Sequence, residues 1–259
     1  YMIDGGSTDI KGVGEKRIIP YLKSQGIHRI ECVFLTHADA DHTNGVIELL
    51  SFMEDDMKGD KYRYLGDIFI ESICLPELSE YNESYKELIR LAETKGVEVR
   101  FNKNGEVMVD EQLQLLCLAP QGEVNLSNTN SHSLVFWLSF GEFDGIFTGD
   151  IDAAGEIAVM RELQQLEKEV MFKKRSFDLL KISHHGSKYS SNKEFLSYLA
   201  PLHSIISSAK YNTYGHPHKE TIESLQEITS IIHQTSLDGA ITIYTDGEYM
   251  KISHYLKGE

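Results

Sequence analysis

The stretch Thr36-His37-Ala38-Asp39-Ala40-Asp41-His42 places four potential metal ligands within six residues. The run before it, Cys32-Val33-Phe34-Leu35, is continuously apolar and reads as a buried strand, while Thr43 to Leu50 reads as a short helix leaving the site. The ligands are therefore expected at a strand-to-helix turn, where the strand holds the backbone rigid and the side chains converge. Imidazole and carboxylate together suit first-row divalent ions, and loops at the carboxyl ends of strands are where functional groups are usually placed. Without a cation, groups crowded this tightly would repel or desolvate one another.

Working outward, Tyr1-Met2-Ile3 reads as a strand arriving at Asp4-Gly5-Gly6, and a helix follows from about Glu15 to Gln25, with Ile18, Ile19 and Leu22 on one side and Gly26 as its stop. Strand, helix, strand and ligand turn make a βαβ unit. Downstream, residues 54–67 are charged and read as a loop. Ile68 to Leu75 reads as a strand, Tyr81 to Lys95 as a helix stopped by Gly96, and Val97 to Phe101 as a strand. Gly105 to Val107 and Leu113 to Leu118 read as a further pair. Leu134 to Phe140 is expected to turn through Glu142-Phe143-Asp144-Gly145 into strand Ile146 to Thr148, which delivers Gly149-Asp150.

Ala153 to Lys168 reads as a helix with Ile157, Met160, Leu163 and Leu166 on its apolar face. A basic link then leads to strand Phe177 to Ser183, which ends in His184-His185-Gly186-Ser187. Helix Asn192 to Leu199 and strand Ser204 to Ser208 precede a loop carrying Tyr214-Gly215-His216-Pro217-His218, then helix Lys219 to Ile228. Strands Ile231 to Thr235 and Ala240 to Tyr244 are expected to join through Asp238-Gly239, with a last strand over Glu248 to Ser253. The pattern predicts one α/β domain spanning 1–259, with two sheets between helical layers.

The chain has 259 residues and a formal charge of −15. It contains no apolar run approaching the roughly 18 residues of a membrane span. The acidic balance argues against a general nucleic-acid coat protein but leaves room for a metal-dependent enzyme acting on phosphodiesters, since bound cations neutralise site carboxylates. Cys32, Cys74 and Cys117 are odd in number, lie in apolar surroundings and are expected to be buried thiols that form no close pair. Because the chain opens at Tyr1 directly into a strand, it reads as a piece of a longer polypeptide or as one missing a disordered or processed start.

Asp4-Gly5-Gly6, the cluster from His37 to His42, Thr148-Gly149-Asp150 and His184-His185-Gly186 together resemble the metallo-β-lactamase superfamily in order and spacing. That resemblance covers nearly the whole chain and implies an αββα sandwich, two mixed sheets between helical layers, with a two-metal site at one edge. The usual cluster is His-x-His-x-Asp-His, and here Asp39 stands in place of the second histidine. His-x-Asp-x-Asp-His followed by His-His-Gly-Ser and Tyr-Gly-His-Pro-His resembles ComEC-type competence proteins, as do Lys181 to Ser187 and Asp238-Gly239-Ala240. In that family such a domain is attached to a membrane channel that takes up DNA, and it is believed to degrade the strand that is not transported. The resemblance would place the domain on the extracellular face of the membrane.

The resemblance implies that His37 and Asp39 hold the first metal and Asp41 and His42 the second, with Asp150 bridging and His185 completing the second site. Asn130-Ser131-His132-Ser133 is similar to the Asn-x-x-Ser of the ComEC type, so His132 is either a further ligand or a chance occupant. An oxygen-rich first site moves preference from zinc toward harder ions, and the expected cofactors are two divalent ions, manganese or zinc. A hydroxide held between them would attack a phosphodiester, expected to be that of single-stranded DNA. His184 and His185 would point to opposite faces of an extended backbone, so one of them, assigned as His185, reaches a metal while the other contacts substrate or packs, unless a sharp turn lets both face the site. His216 is expected to protonate the leaving oxygen or grip phosphate.

Asp4 is expected to orient a ligand histidine without binding metal itself. Asn130, Ser133 and Ser187 suit phosphate contact or turn capping, for no Gly-x-Ser-x-Gly elbow surrounds either serine. His218 is placed as a companion of His216 or as a helix N-cap. Lys181, Lys188, Lys193 and Lys210 would steer a phosphate backbone or simply be solvated. His28, His203, His233 and His254 stand alone and read as ordinary surface or capped residues. The alternatives are a hydrolase of the same fold acting on a wall phosphodiester, a lactone or a β-lactam, and a non-catalytic binding module with a degenerate site.

Overall fold

The computed structural model describes residues 1–53, 68–121, 128–169 and 176–256. The expected charged loop at 54–67 and most of the expected basic link before Phe177 lie outside these. The chain divides into two compact units, Tyr1–Asn102 with Glu123–His132, and Lys103–Gly122 with Ser133–Glu259.

The first unit carries β1 (Met2–Ile3), α1 (Ile19–Ser24, entered through a wide turn at Gly14–Ile18), β2 (Arg29–Ile30), β3 (Val33–Phe34), α2 (Ala40–Phe52), β4 (Phe69–Ile70), β5 (Ser72–Pro76), α3 (Glu83–Thr94) and β6 (Glu98–Asn102). Four strands form one sheet in the order β1-β3-β5-β6, and each pairing in it is parallel, where a mixed sheet is expected. Parallel strands covered on both faces read as unbroken apolar runs, which explains Cys32 to Leu35. Val33, Leu35, Ile73 and Leu75 are fully buried against Val46, Leu49 and Leu50 of α2 and Leu88 of α3. Each such side chain contributes about 1.5–3 kcal/mol of hydrophobic stabilisation.

Three expectations change in this unit. The strand expected over Ile68 to Leu75 breaks at Glu71, whose N–H donates to Ile30 while its carbonyl accepts from Glu98. The chain thereby switches partner, β4 pairing with β2 and β5 with β3 and β6. Helix α2 starts at Ala40 instead of Thr43, because extended Asp39 offers its carbonyl to the N–H groups of both His42 and Thr43. Cys32 and Cys74, expected to be apart, share a thiol hydrogen bond that pulls Cys32 down to about 7.

The second unit carries β7 (Val107–Asp110), β8 (Leu113–Ala119), β9 (Val135–Phe140), β10 (Phe143–Phe147), α4 (Ala153–Lys168), β11 (Leu179–Lys181), α5 (Lys193–Leu199), β12 (His203–Ile206), α6 (Lys219–Glu227), β13 (Ile231–Gln234), α7 (Thr235–Asp238), β14 (Ile241–Thr245) and β15 (Met250–His254). Seven strands run in the order β13-β12-β11-β10-β9-β8-β7, parallel from β13 to β10 and antiparallel from β10 to β7. Leu180, Ile182, Val159, Leu163, Phe195 and Leu196 fill its core.

Asp144-Gly145 does not make the hairpin turn. Gly141 and Glu142 do, with Gly141 at φ 62, and Phe143 already pairs with Phe140. Asp144 is instead buried in the strand, accepting from Trp137 Nε1 at 2.8 Å, while its own N–H donates to Asp178 at 2.8 Å. On α4, Met160, Leu163 and Leu166 face the core as expected, but Ile157 is exposed and Glu156 is fully buried. The Glu156 carboxylate accepts the N–H groups of Ser191 and Asn192 and the Asn192 amide, tying α4 to the start of α5. Burial pushes Glu156 up to about 7 against the opposing pull of those donors. The closing strands do not form a hairpin with each other, since α7 intervenes and β14 pairs with β15 in a separate ribbon. No helix among the described residues is long and apolar enough to cross a membrane.

Candidate metal centre

In the first unit the ligand-rich stretch leaves β3 and enters α2 within a few residues. Asp4, at φ 55, follows β1 and reaches across to it. Its Oδ1 accepts from the Thr36 N–H at 2.8 Å, and its Oδ2 accepts from the Thr36 hydroxyl at 2.8 Å and from His42 Nδ1 at 2.8 Å. A carboxylate only accepts, so His42 carries its proton on Nδ1. The hydroxyl of Thr36 has spent its one proton on Asp4, so it accepts from His37 Nδ1 at 3.0 Å.

Both buried imidazoles are thereby fixed in one tautomer, each presenting Nε2 as its lone-pair nitrogen, with ring centroids 4.1 Å apart. This is the orientation a pair of metal-ligating histidines requires, with Asp4 in the outer position expected of it. Burial pushes the Asp4 carboxyl up, but His42, its hydrogen bond, His37 and the Thr36 N–H together outweigh burial and hold it below the usual carboxylate range. Asp39 Oδ2 lies 3.7 Å from His37 Nε2. Asp41 and His42 occupy the first turn of α2, and a Cβ at Gly6 would collide with their backbone, so glycine is required there.

In the second unit Asp150 follows β10 and is buried, its N–H donating to Ser133 Oγ at 3.1 Å. His184, His185 and Gly186 all have positive φ, at 48, 54 and 85. Two consecutive non-glycine residues in the left-handed region cost on the order of 1–2 kcal/mol each. The sharp turn replaces the extended backbone on which the two side chains would point oppositely. His185 Nδ1 donates to the Ser207 carbonyl at 2.8 Å, leaving Nε2 as the lone-pair atom, 3.4 Å from Asp150 Oδ2. A carboxylate oxygen and an imidazole lone pair at that spacing suit a shared cation, since ligand atoms on a metal with bonds of about 2.1 Å lie about 3.0–3.4 Å apart. The donor set therefore fits divalent ions in each unit taken separately.

His184 packs its ring 5.6 Å from His216, which also stacks on Tyr214 at 5.7 Å and meets His218 at 5.0 Å. Burial and the neighbouring histidines push His216 down to about 4, so it is a neutral imidazole at pH 7. Asn212 fixes this loop, accepting from the His216 N–H at 2.9 Å and donating to its carbonyl at 2.7 Å. His218 sits at the N-cap position of α6, but its ring accepts from the Lys188 N–H instead of capping the helix. Ser187 is buried and caps a local turn through Tyr189, and Asn130 lies in a short helical turn with His132, which is buried near Tyr85.

Thr36, Ser207 and Asn212 are the residues that sequence reading missed. Thr36 adjoins the cluster and was within reach of a strand-end argument, whereas the Ser207 carbonyl carries no side-chain signal. Among the lysines, Lys193 pairs with Glu227 and Lys181 bonds the Ile182 carbonyl, while Lys188 and Lys210 are exposed and lie over Tyr189 and Tyr211. His203, His233 and His254 do not stand alone: they form a hydrogen-bonded series that brings together β12, β13 and β15.

The metallo-β-lactamase superfamily profile matches residues 1–51. ComE operon protein 3 of Bacillus subtilis is 33% identical over 229 residues, 88% of this chain and 26% of that protein. Recombination protein 2 of Haemophilus influenzae is 28% identical over 243 residues, 93% of this chain and 26% of that protein. The chain thus spans about a quarter of the length of the curated relatives it matches. Among solved structures, the metallo-β-lactamase fold protein YhfI of Bacillus subtilis aligns over 90% of this chain and 82% of its own, with a TM-score of 0.52 at 10% identity.

Proposed function

This chain has the metallo-β-lactamase fold and is similar to ComEC-type competence proteins, and from that premise we propose that it is a metal-dependent phosphodiesterase acting on single-stranded DNA. We assign His37 and Asp39 to a first divalent ion and Asp41, His42 and His185 to a second, with Asp150 shared between them. The observation that carries this reading is the Asp4–Thr36 arrangement, which fixes both His37 and His42 with Nε2 presented. The Asp150–His185 pair supports it from the second unit.

Divalent ions, manganese or zinc, would acidify a coordinated water and offset charge on the phosphoryl oxygens. Asp39 where a histidine is usual makes the first position oxygen-rich and favours manganese. Asp4 holds the His42 ring still. Neutral His216 donates a hydrogen bond to a substrate phosphate, with His184 packed against it, and Asn212 keeps that loop in place. Ser133 positions the Asp150 backbone, and Asn130, Ser187 and His218 shape the surrounding turns. Lys188 and Lys210 guide the nucleic-acid backbone. We further propose, from the resemblance to ComEC-type proteins, that the domain works beside a DNA-uptake channel on the outer side of the membrane.

The test is purified protein incubated with single-stranded DNA and manganese, beside a His42→Ala control and a nitrocefin assay. Metal-dependent cleavage lost in the control, with nitrocefin intact, is expected. Nitrocefin hydrolysis without DNA cleavage would move the substrate class to lactams.

A further inference from the structure

We propose that His233, Asp238 and His254 form an additional transition-metal site, of zinc type, that clips the β14–β15 ribbon to the edge of the seven-stranded sheet. His233 lies on edge strand β13, Asp238 ends α7 and His254 lies on β15. One ligand atom from each falls within 4.8 Å of the other two. His233 Nδ1 is 2.7 Å from His254 Nε2, and His254 Nε2 is 4.0 Å from Asp238 Oδ2. Donor atoms in a tetrahedral site with bonds of about 2.0–2.1 Å lie about 3.4 Å apart. The two observed spacings bracket that value, so ring shifts below about 1 Å would admit an ion.

The outer contacts orient His233 and Asp238 as ligands. His203 Nδ1 lies 2.9 Å from His233 Nε2. With the His233 proton on Nε2 and donated to His203, Nδ1 is the lone-pair atom facing His254. The Gln234 N–H donates to Asp238 Oδ2 at 2.8 Å and holds the carboxylate from behind. Ligand histidines and carboxylates commonly carry such outer hydrogen bonds, which fix tautomer and orientation. His233 and Asp238 are buried, while the His254 side chain is 19% exposed, so the cluster is reachable from solvent. Two imidazoles and one carboxylate leave a fourth position for water, a ligand composition zinc accepts.

The physical role follows from where the ligands sit. β14 and β15 pair only with each other among the described strands. An ion shared by β13, α7 and β15 would fasten that ribbon to the sheet, and its binding would add to the stability of the unit.

The experiment measures zinc per chain by elemental analysis after dialysis against micromolar zinc, for the wild type, His254→Gln, Asp238→Asn and an exposed control, His28→Gln. Both site variants are expected to hold one ion fewer than wild type, with the control unchanged. That difference is independent of any ions held by His42 or Asp150, so failure of the catalytic assignment lowers the total and leaves the difference intact. As a second readout on the unaltered protein, zinc is expected to slow amide exchange at Ile231–Gln234 and Met250–His254. An unchanged count in His254→Gln and Asp238→Asn, or unaltered exchange on adding zinc, overturns the site and leaves a metal-free chain of hydrogen-bonded imidazoles.

Discussion

The Asp4–Thr36–His37–His42 arrangement and the His184–His185 turn present imidazoles by different physical means. The first uses regular structure: a strand end, a helix N-terminus and one carboxylate that fixes His42 directly and His37 through Thr36. The second uses backbone in the left-handed region, held by His185 Nδ1 donating to the Ser207 carbonyl and by the His184 N–H donating to the Gly149 carbonyl. Short, directional side-chain bonds can be deleted one at a time, whereas an unusual backbone persists only when its surroundings over-determine it. The first arrangement should therefore lose function gradually through orientation, and the second abruptly through its fold.

The largest effect is expected on removing a proposed ligand outright. Asp150→Asn is predicted to cost several kcal/mol of transition-state stabilisation, about 10²–10³-fold in kcat/KM on single-stranded DNA, and a steady-state cleavage assay reads it. Next is Asp4→Asn, which leaves both histidines in place but releases their tautomers. Metal affinity should fall about 10–100-fold in a competing-chelator titration, with the circular dichroism spectrum unchanged. An Asp4→Asn protein with full affinity would sink the orientation argument.

Glu156 tests the second unit's dependence on buried polar scaffolding. Glu156→Gln turns an amide N–H toward the backbone donors of α5 and is expected to cost about 1–3 kcal/mol in urea unfolding. Its pKa is raised from 4.5 to about 7 by burial, so the folded protein binds this proton more tightly than the unfolded chain does. The stability it contributes is complete below pH 4.5 and is lost as pH rises through 7. Glu156→Gln should flatten that decline, and unfolding curves between pH 4.5 and 8 check it. The smallest effect is Lys188→Ala, expected to reduce the salt slope of DNA binding by about 0.7, as for one lost phosphate contact on a single strand.

The ligand turn was legible in sequence because its chemistry is local: a buried apolar strand, an N-terminal helical turn and four ligand types lie side by side. Asp150 and His185 were legible as strand-end groups for the same reason. Where reading failed, long-range contacts decided. Asp144-Gly145 looks like a turn but is held in β10 by Trp137 and Asp178, and Glu156 looks solvent-facing on a helix yet is buried to hold α5. The histidines at 203, 233 and 254 appear solitary because their neighbours lie 21 and 30 residues away along the chain.

The sequence by itself determined the fold class, the cluster at His37 to His42 and the apolar runs that bury each sheet, since hydrophobic periodicity and ligand spacing are properties of neighbours along the chain. Only the tertiary structure decided which nitrogen each imidazole presents, why His184 and His185 can share a turn, and that His233 and His254 meet Asp238 at a sheet edge with His203 behind His233. Tautomer, backbone handedness and strand adjacency are each set by groups distant in sequence, and a one-dimensional pattern carries no term for them.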